Sequence, residues 1–230
     1  MNLVLTNDDG ISAPGLRSLL TCANSLAIGD KTFIVAPQQQ FSGCGHQVTT
    51  HSPIHVDRLS DFEYAVAGTP ADCIRLALAH FCPTPQLVLS GINPGGNLGI
   101  DTYISGTVAA VREAALHGIP GIAISHRIKK PLEIDWQLAE QWVIRVLKDL
   151  LNRPAQPGTF WNVNLPHLEP GSAEPDIIFC PLSTQPLPVK YRVEGEYYYY
   201  TGEYGKRDRA PGTDVDVCFA GNIAVTQISL

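Results

Sequence analysis

No apolar run in these 230 residues reaches 18, so a membrane-spanning helix is not expected. The first residues, "MNLVLTNDDG", lack both a basic stretch and a long apolar core, which argues against a secretory leader. Charge is also scarce: 17% of residues are Asp, Glu, Lys or Arg, against about a quarter in ordinary soluble domains. The net charge is −6 and no basic block exceeds a few residues. A nucleic-acid partner, which needs a clustered positive field, is therefore not expected. An anionic ligand would have to be captured locally, by a cation, a helix end or backbone amides. The six cysteines are scattered without a CxxC pair and read as reduced, mostly buried thiols. Together these absences predict a soluble, cytoplasmic protein.

With 44% hydrophobic residues, the low charge leaves two readings open, an ordinary large α/β core or extra surface buried in an oligomer. A chain of 230 residues fits one sizeable domain, or one domain with an appendage. At that length roughly 70–75% of the unfolded surface is buried, and no covalent staple is needed.

Strand and helix signals alternate over residues 1–153. The run at 2–6 suits a buried parallel strand. "SAPGLRSLLTCANSL" follows as a helix, with Ser12 or Ala13 as cap and Pro14 in its first turn. "KTFIVAP" is a strand, "GTPADCIRLALAHF" a helix capped by Thr69, and "PQLVLSGIN" a strand entering a glycine-rich loop. "SGTVAAVREAALHG" is a helix, "IPGIAIS" a strand, and Asp135–Asn152 a long helix striped by Trp136, Ala139, Val143, Val146 and Leu150. This alternation predicts an α/β fold with a mostly parallel sheet covered on both faces. Residues 46–67 break it and predict antiparallel strands. Residues 154–230 read as a β-rich segment, with "KYRVEGEYYYYTGEYG" as a hairpin arm and 215–230 as a terminal strand.

Ligands in open parallel sheets bind outside the carboxyl ends of the strands. Three polar loops fall there. The first carries Asp8 and Asp9. Adjacent carboxylates repel unless a proton or cation lies between them, and such hard oxygens suit Mg²⁺ or Mn²⁺. The same residues also read as a solvated Asn-Asp-Asp-Gly turn. The EF-hand spacing is absent. The second loop, "QQQFSGCGHQ", offers the Ser42 hydroxyl as a further ligand, or is a Gly/Ser turn. His46 beside it is an acid–base candidate, or a hydrogen-bonding loop histidine. The third loop, "SGINPGGNLGIDTYISGTVAA", brings Asn93 and Asn97 between glycines that let backbone N–H groups approach an anion. Ser105-Gly106-Thr107 then opens a helix whose free N–H groups favour phosphate. Neither a Walker motif nor a GxGxxG fingerprint is present, so neither common nucleotide cradle is indicated. A cation site beside a helix N-terminus is what hydrolysis of a phosphate monoester needs.

At these residues the sequence resembles the SurE (survival protein E) family of metal-dependent nucleotidases and phosphatases. The matching stretches are "TNDDGISAPG", "VAPQQQFSGCGHQVT", "GTPADCI", "LVLSGINPGGNLGIDTYISGTVAAVREAALHGIPGIAIS" and "GTDVDVCFAGNIAVTQISL". The resemblance implies a Rossmann-like core with C-terminal arms exchanged between subunits, giving a homodimer or homotetramer. It implies one Mg²⁺ or Mn²⁺ per subunit on Asp8, Asp9, Ser42 and Asn93, and phosphate contacts from Asn97, Ser105, Gly106 and Thr107. The implied activity is release of phosphate from nucleoside 5′- and 3′-monophosphates, and in some members from short polyphosphate, in a cytoplasmic setting. Two departures stand out. "QQQF" precedes Ser42 where the family commonly has a basic residue, and the chain ends "AVTQISL" where a "VSVTPL"-like ending is usual.

Attack by metal-activated water, with Asp8 and Asp9 at its centre, is the expected chemistry. Asp9 or His46 would move protons, or metal-bound hydroxide would need no separate base. A covalent aspartate of the haloacid-dehalogenase kind would space its acids D-x-D, whereas Asp8 and Asp9 are adjacent. A non-catalytic receiver-like regulatory domain would need an aspartate after its third strand and a lysine after its fifth, and "GIAIS" runs instead into His126-Arg127.

Overall fold

The short apolar run at the start becomes the middle of the molecule. In the computed structural model, which describes residues 1–230, β1 (Asn2–Thr6) pairs in parallel with β2 (Lys31–Pro37) on one side and β5 (Leu87–Pro94) on the other. Beyond β2 lie β4 (Glu63–Val66) and then β3 (Val56–Arg58). Beyond β5 lie β6 (Gly121–His126), β7 (Thr159–Leu165), β11 (Ile223–Ser229) and β8 (Ile177–Phe179). Six neighbouring strands, β4-β2-β1-β5-β6-β7, therefore run parallel to one another, β11 and β8 form a further parallel pair, and only β3 on β4 and β11 on β7 run antiparallel. Chain order reverses direction across the sheet between β1 and β5, so the loops after these two strands face each other over a crevice. That is the topological switch point at which open α/β sheets bind ligands.

Helices cover both faces, as the alternation predicts. α1 (Pro14–Ser25), with Ala13 as its cap, and α4 (Trp136–Leu150), capped by the Asp135 carboxylate on Leu138 N–H, lie on one face. Their stripes, Leu16 and Leu19 with Trp142, Val143 and Val146, pack on Leu3, Leu5 and Leu89. α2 (Pro70–Leu76) and α3 (Gly106–Leu116) cover the other, burying Ile74, Val108 and Val111 against Val4 and Val88. Along β1 and β5 neighbouring residues thus serve opposite cores, which is why both strands read as unbroken apolar runs.

Two sequence expectations need correction. The helix from Pro70 was expected to run through Phe81, but it widens into a single π-type turn over Ala77–Phe81, which stacks Phe81 on Tyr64 at 4.0 Å between ring centroids. Within 46–67 the expected antiparallel pair does form, β3 on β4, and β4 also joins β2 in parallel. The expected strand over 215–230 begins as a helix, α5 (Asp214–Phe219). "DVDVCF" alternates with the period of a strand, yet Asp214 and Asp216 fall in a first turn where the helix dipole favours acids, and Val215, Val217 and Cys218 all pack near Leu98. The sheet also runs through residue 154 without a break, since β7, β8 and β11 belong to it. What stands apart is the two-stranded hairpin of β9 (Tyr191–Glu194) and β10 (Tyr197–Tyr200), turned at Gly195 with φ +61°. Its tyrosines are exposed.

At the end of β6, His126 is buried between Trp142 and His167, donating from Nδ1 to the Arg127 carbonyl at 2.8 Å. Burial, with the neighbouring His167, pushes its pKa down to about 4. The unfolded chain takes up a proton near pH 6.5 that the folded chain refuses until about 4, so this stability is present above pH 6.5 and is lost as pH falls through that window. The loss amounts to up to about 3 kcal/mol. Urea midpoints at pH 7.5 and 5 should show this slope, and His126→Gln should flatten it; an unaltered slope would reassign the acid sensitivity elsewhere.

Candidate active site

β1 delivers Asn7, Asp8 and Asp9 into the crevice as the chain turns. Asn7 Nδ2 donates to the Gly10 carbonyl at 2.9 Å, and Gly10 closes the turn at φ +105°. The loop after β2 is tied to this turn where Phe41 N–H donates to the Asp8 carbonyl at 2.7 Å, which brings Ser42 alongside. On the opposite bank, the pairing of β5 with β6 slips between Ser90 and Asn93, and this bulge carries Asn93 into the crevice. Asp8, Asp9, Ser42 and Asn93 line one cleft of about 340 Å³ with Asn97 and Ser105. Residues distant in sequence thus converge there.

The two acids have different surroundings. Asp8 is 5% exposed, and its Oδ1 accepts the Thr107 hydroxyl at 2.5 Å. Burial raises its pKa, opposed by Thr107 and by the backbone amides of Gly106 and Thr107 at the start of α3. Gly106 is needed for that approach: a Cβ there would lie 2.9 Å from Asp8 Cβ and 3.0 Å from Cys44 Sγ. Asp9 has no such support. No protein donor reaches its buried Oδ2, and burial together with the charge of Asp8 pushes its pKa up to about 7. The Asn7 Oδ1 is a second buried acceptor without a donor. Asn93 turns Nδ2 onto the Gly95 carbonyl at 2.7 Å and leaves its Oδ1 without a donor. Ser42 Oγ takes a hydrogen bond from Gln40 at 2.7 Å.

Acceptors lacking donors on Asn7, Asp9 and Asn93, beside the carboxylate of Asp8, make a setting that a divalent cation fits. Its chemistry is that of hard ligands, with no third His, Cys, Asp or Glu to favour a softer metal. Asp8, Asp9, Ser42 and Asn93 are the residues that would hold it.

The expected phosphate contacts divide. Asn97 and Ser105 line the cleft, whereas Gly106 and Thr107 do not, because their amides and hydroxyl are directed at Asp8. Ser105 Oγ caps α3 by accepting from Val108 N–H at 3.1 Å. Asn97 is held by the sheet: its N–H donates to Asn164 Oδ1 at 2.8 Å, its Nδ2 to Ser125 Oγ at 2.8 Å, and its carbonyl accepts from Asn162 at 2.8 Å. His46 is not drawn into the cleft. Its Nε2 lies 2.7 Å from Glu113 Oε2, which fastens the loop to α3.

Sequence reasoning missed a clasp from the C-terminal segment. Arg207 Nη1 donates to Asp101 Oδ2 at 2.6 Å and Nη2 to the Leu98 carbonyl at 3.1 Å, while the Asp214 carboxylate accepts from Gly99 and Ser183 N–H groups at 2.7 and 2.8 Å. Tyr204 adds a bond to Asp101 Oδ2 at 2.8 Å, and with Leu187 it completes the cleft wall. The asparagines of "TFWNVNL" did carry a signal, since two amides at alternate positions of a buried strand demand partners. "GKRDRA" carried none, because a basic turn normally points to solvent.

Comparison with known proteins shows the family. The family model described as Survival protein SurE matches residues 3–186. A candidate 5′-nucleotidase of Nostoc sp. is 60% identical, covering 99% of each chain. The 5′-nucleotidase SurE of Paramagnetospirillum magneticum is 36% identical, covering 99% of this chain and 89% of its own. Among solved structures, the SurE protein of Aquifex aeolicus superposes with a TM-score of 0.86 at 30% identity, covering all of this chain and 93% of its own. With relatives matched from end to end and the same fold in a solved member, this chain belongs to the SurE family.

Proposed function

We propose that this SurE-family chain is a phosphoric monoester hydrolase that removes phosphate from nucleoside 5′-monophosphates, using one Mg²⁺ or Mn²⁺ per subunit. The observation that carries the reading is the convergence of Asp8 and Asp9, the latter without hydrogen-bond donors, with Ser42 and Asn93 in one cleft. When bound, the divalent ion supplies water activation and neutralises charge on the phosphoryl oxygens. The protein supplies orientation. Thr107 and the first amides of α3 hold Asp8 in place, and Asn97, fixed by Asn164, Asn162 and Ser125, confines the phosphoryl group together with Ser105 and the Gly95–Gly96 backbone. Such positioning is worth several orders of magnitude in rate. Asp8 and Asp9 are the residues on which attack of water depends, and His46, paired with Glu113, braces the loop.

The same arrangement accommodates 3′-monophosphates and the terminal phosphate of short polyphosphate, which present the same dianionic group. The exposed tyrosines of the β9–β10 hairpin support a homodimer or homotetramer assembled through the C-terminal arms. No helix is long and apolar enough to cross a membrane, in keeping with a cytoplasmic setting. Chelation is the direct test. Phosphate release from AMP should vanish with EDTA and return with Mn²⁺ or Mg²⁺, and the ion should stabilise the inactive protein by about 3 kcal/mol at a hundred times its Kd. Turnover that survives rigorous metal removal would overturn the reading.

A further inference from the structure

Apart from Pro94 on the loop after β5, the apolar side chains of the cleft are Ile104, Leu187 and Tyr204. A phosphoryl group and a cation have no use for them. Resting on the nucleotidase reading, we infer that these residues form a nucleobase subsite, with Tyr204 as the platform on which the base stacks.

Three observations make the Tyr204 ring a fixed surface. Its hydroxyl is anchored on Asp101 Oδ2 at 2.8 Å and lies 3.4 Å from the Gly96 carbonyl, on the loop that also carries Asn97. The ring therefore sits beside the phosphate loop, within reach of a nucleoside attached to that phosphate. The Arg207 guanidinium stands 4.9 Å from the ring centroid, held there by Asp101, and occupies one face. Tyr204 is nonetheless 39% exposed and lines the cleft, with the Phe219 ring 6.3 Å from its own and tilted by 37°. A base laid on it would complete a stack of base, tyrosine and guanidinium. Both side groups would already be in position, so little ordering entropy opposes binding. Ile104 and Leu187 offer only apolar contact.

Stacking does not read the hydrogen-bonding edge of a base. The subsite should therefore rank substrates by ring area, purine above pyrimidine, and distinguish weakly within each class.

The test compares wild type, Tyr204→Leu and Tyr204→Phe on AMP, CMP and ribose 5-phosphate, which keeps the sugar and phosphate but has no base. Wild type should favour AMP over ribose 5-phosphate in kcat/KM. Tyr204→Leu should shrink that advantage about tenfold, mainly through KM, and Tyr204→Phe should keep it. Equal proportional losses on both esters would overturn the inference and leave Tyr204 as a brace for Gly96. Binding of adenosine, measured by calorimetry on the intact protein, separates this inference from the reading beneath it. Adenosine binding weakened about tenfold by Tyr204→Leu in a protein that hydrolyses no ester would keep the subsite and sink the nucleotidase. Turnover of AMP with adenosine binding unaffected by the substitution would do the reverse.

Discussion

Replacing Asp9 by Asn should cost about a thousandfold in kcat/KM while making the metal-free protein more stable at pH 8. Both effects come from the same carboxylate. With a divalent cation bound, the carboxylate would be one of the groups that hold it; losing one preorganised electrostatic group of this kind costs about 10²–10³ in rate. In the metal-free protein the charge is a liability. Asp9 Oδ2 is buried without a donor, Asp8 is adjacent, and the pKa of Asp9 stands at about 7. For an acid whose folded pKa lies above its unfolded value of 3.8, the associated stability is complete below pH 3.8 and is lost as pH rises through about 7. Asn escapes that loss. The gain at pH 8 should be about 1–2 kcal/mol, less than the full linkage value because Asp9 is partly solvated. It should vanish below about pH 4, where both states of Asp9 are protonated. Adding Mn²⁺ should reverse the order of the two proteins, since wild type is the better ligand. Asp8→Asn should lose activity on the same scale, because the Asp8 carboxylate held by Thr107 and the α3 amides is the other half of the acid pair. Thermal midpoints with EDTA and with Mn²⁺, alongside AMP turnover, decide the matter. An Asp9→Asn enzyme within tenfold of wild type would make the acid pair a turn and nothing more.

The opposite treatment of these neighbouring acids was not legible in the sequence, although their presence was. "NDDG" after an apolar run announces excess like charge at the end of a strand, and proline, serine, threonine and aspartate at helix starts announced α1, α2, α3 and α4. These signals are local, and local chemistry decided them. The failures share a different cause. "DVDVCF" has strand periodicity, but its apolar residues found partners near Leu98 only as a helix, so tertiary packing overrode the pattern. That the Thr107 hydroxyl meets Asp8 was likewise out of reach of the sequence, because that partner sits on a distant loop. His46 shared a loop with Ser42, yet its partner Glu113 lies on α3, which draws the imidazole out of the cleft. Asn162 and Asn164 could have been found, since amides in a buried strand need an explanation, and here the explanation is Asn97. Arg207 could not, because nothing in a Gly/Lys/Arg/Asp turn foretells burial.

That buried arginine should be the largest single contributor to stability outside the apolar core. Arg207 is 4% exposed and Asp101 6%, with 2.6 Å between them. Arg207→Met keeps most of the aliphatic volume but strands the Asp101 carboxylate with only the Tyr204 hydroxyl and the Leu98 N–H. Breaking one side of a buried pair costs about 3–5 kcal/mol, because the remaining charge is uncompensated. Asp101→Asn added to Arg207→Met should recover much of that loss, since an amide tolerates the site better than an orphaned carboxylate. The two changes should thus depart from additivity by about 1–3 kcal/mol. Arg207→Lys should not substitute, because one ammonium cannot serve Asp101 Oδ2 and the Leu98 carbonyl with the fixed fork of a guanidinium. Urea unfolding of the four proteins measures the cycle; additive losses, or an Arg207→Met cost below about 1 kcal/mol, would refute the clasp. Activity should follow stability only in part. Arg207 and Asp101 fix the 98–101 turn between Asn93 and Ser105, so Arg207→Met should remain slower than wild type at temperatures where both are fully folded. A variant that is destabilised yet fully active when folded would show that the C-terminal segment holds the fold together without shaping the cleft.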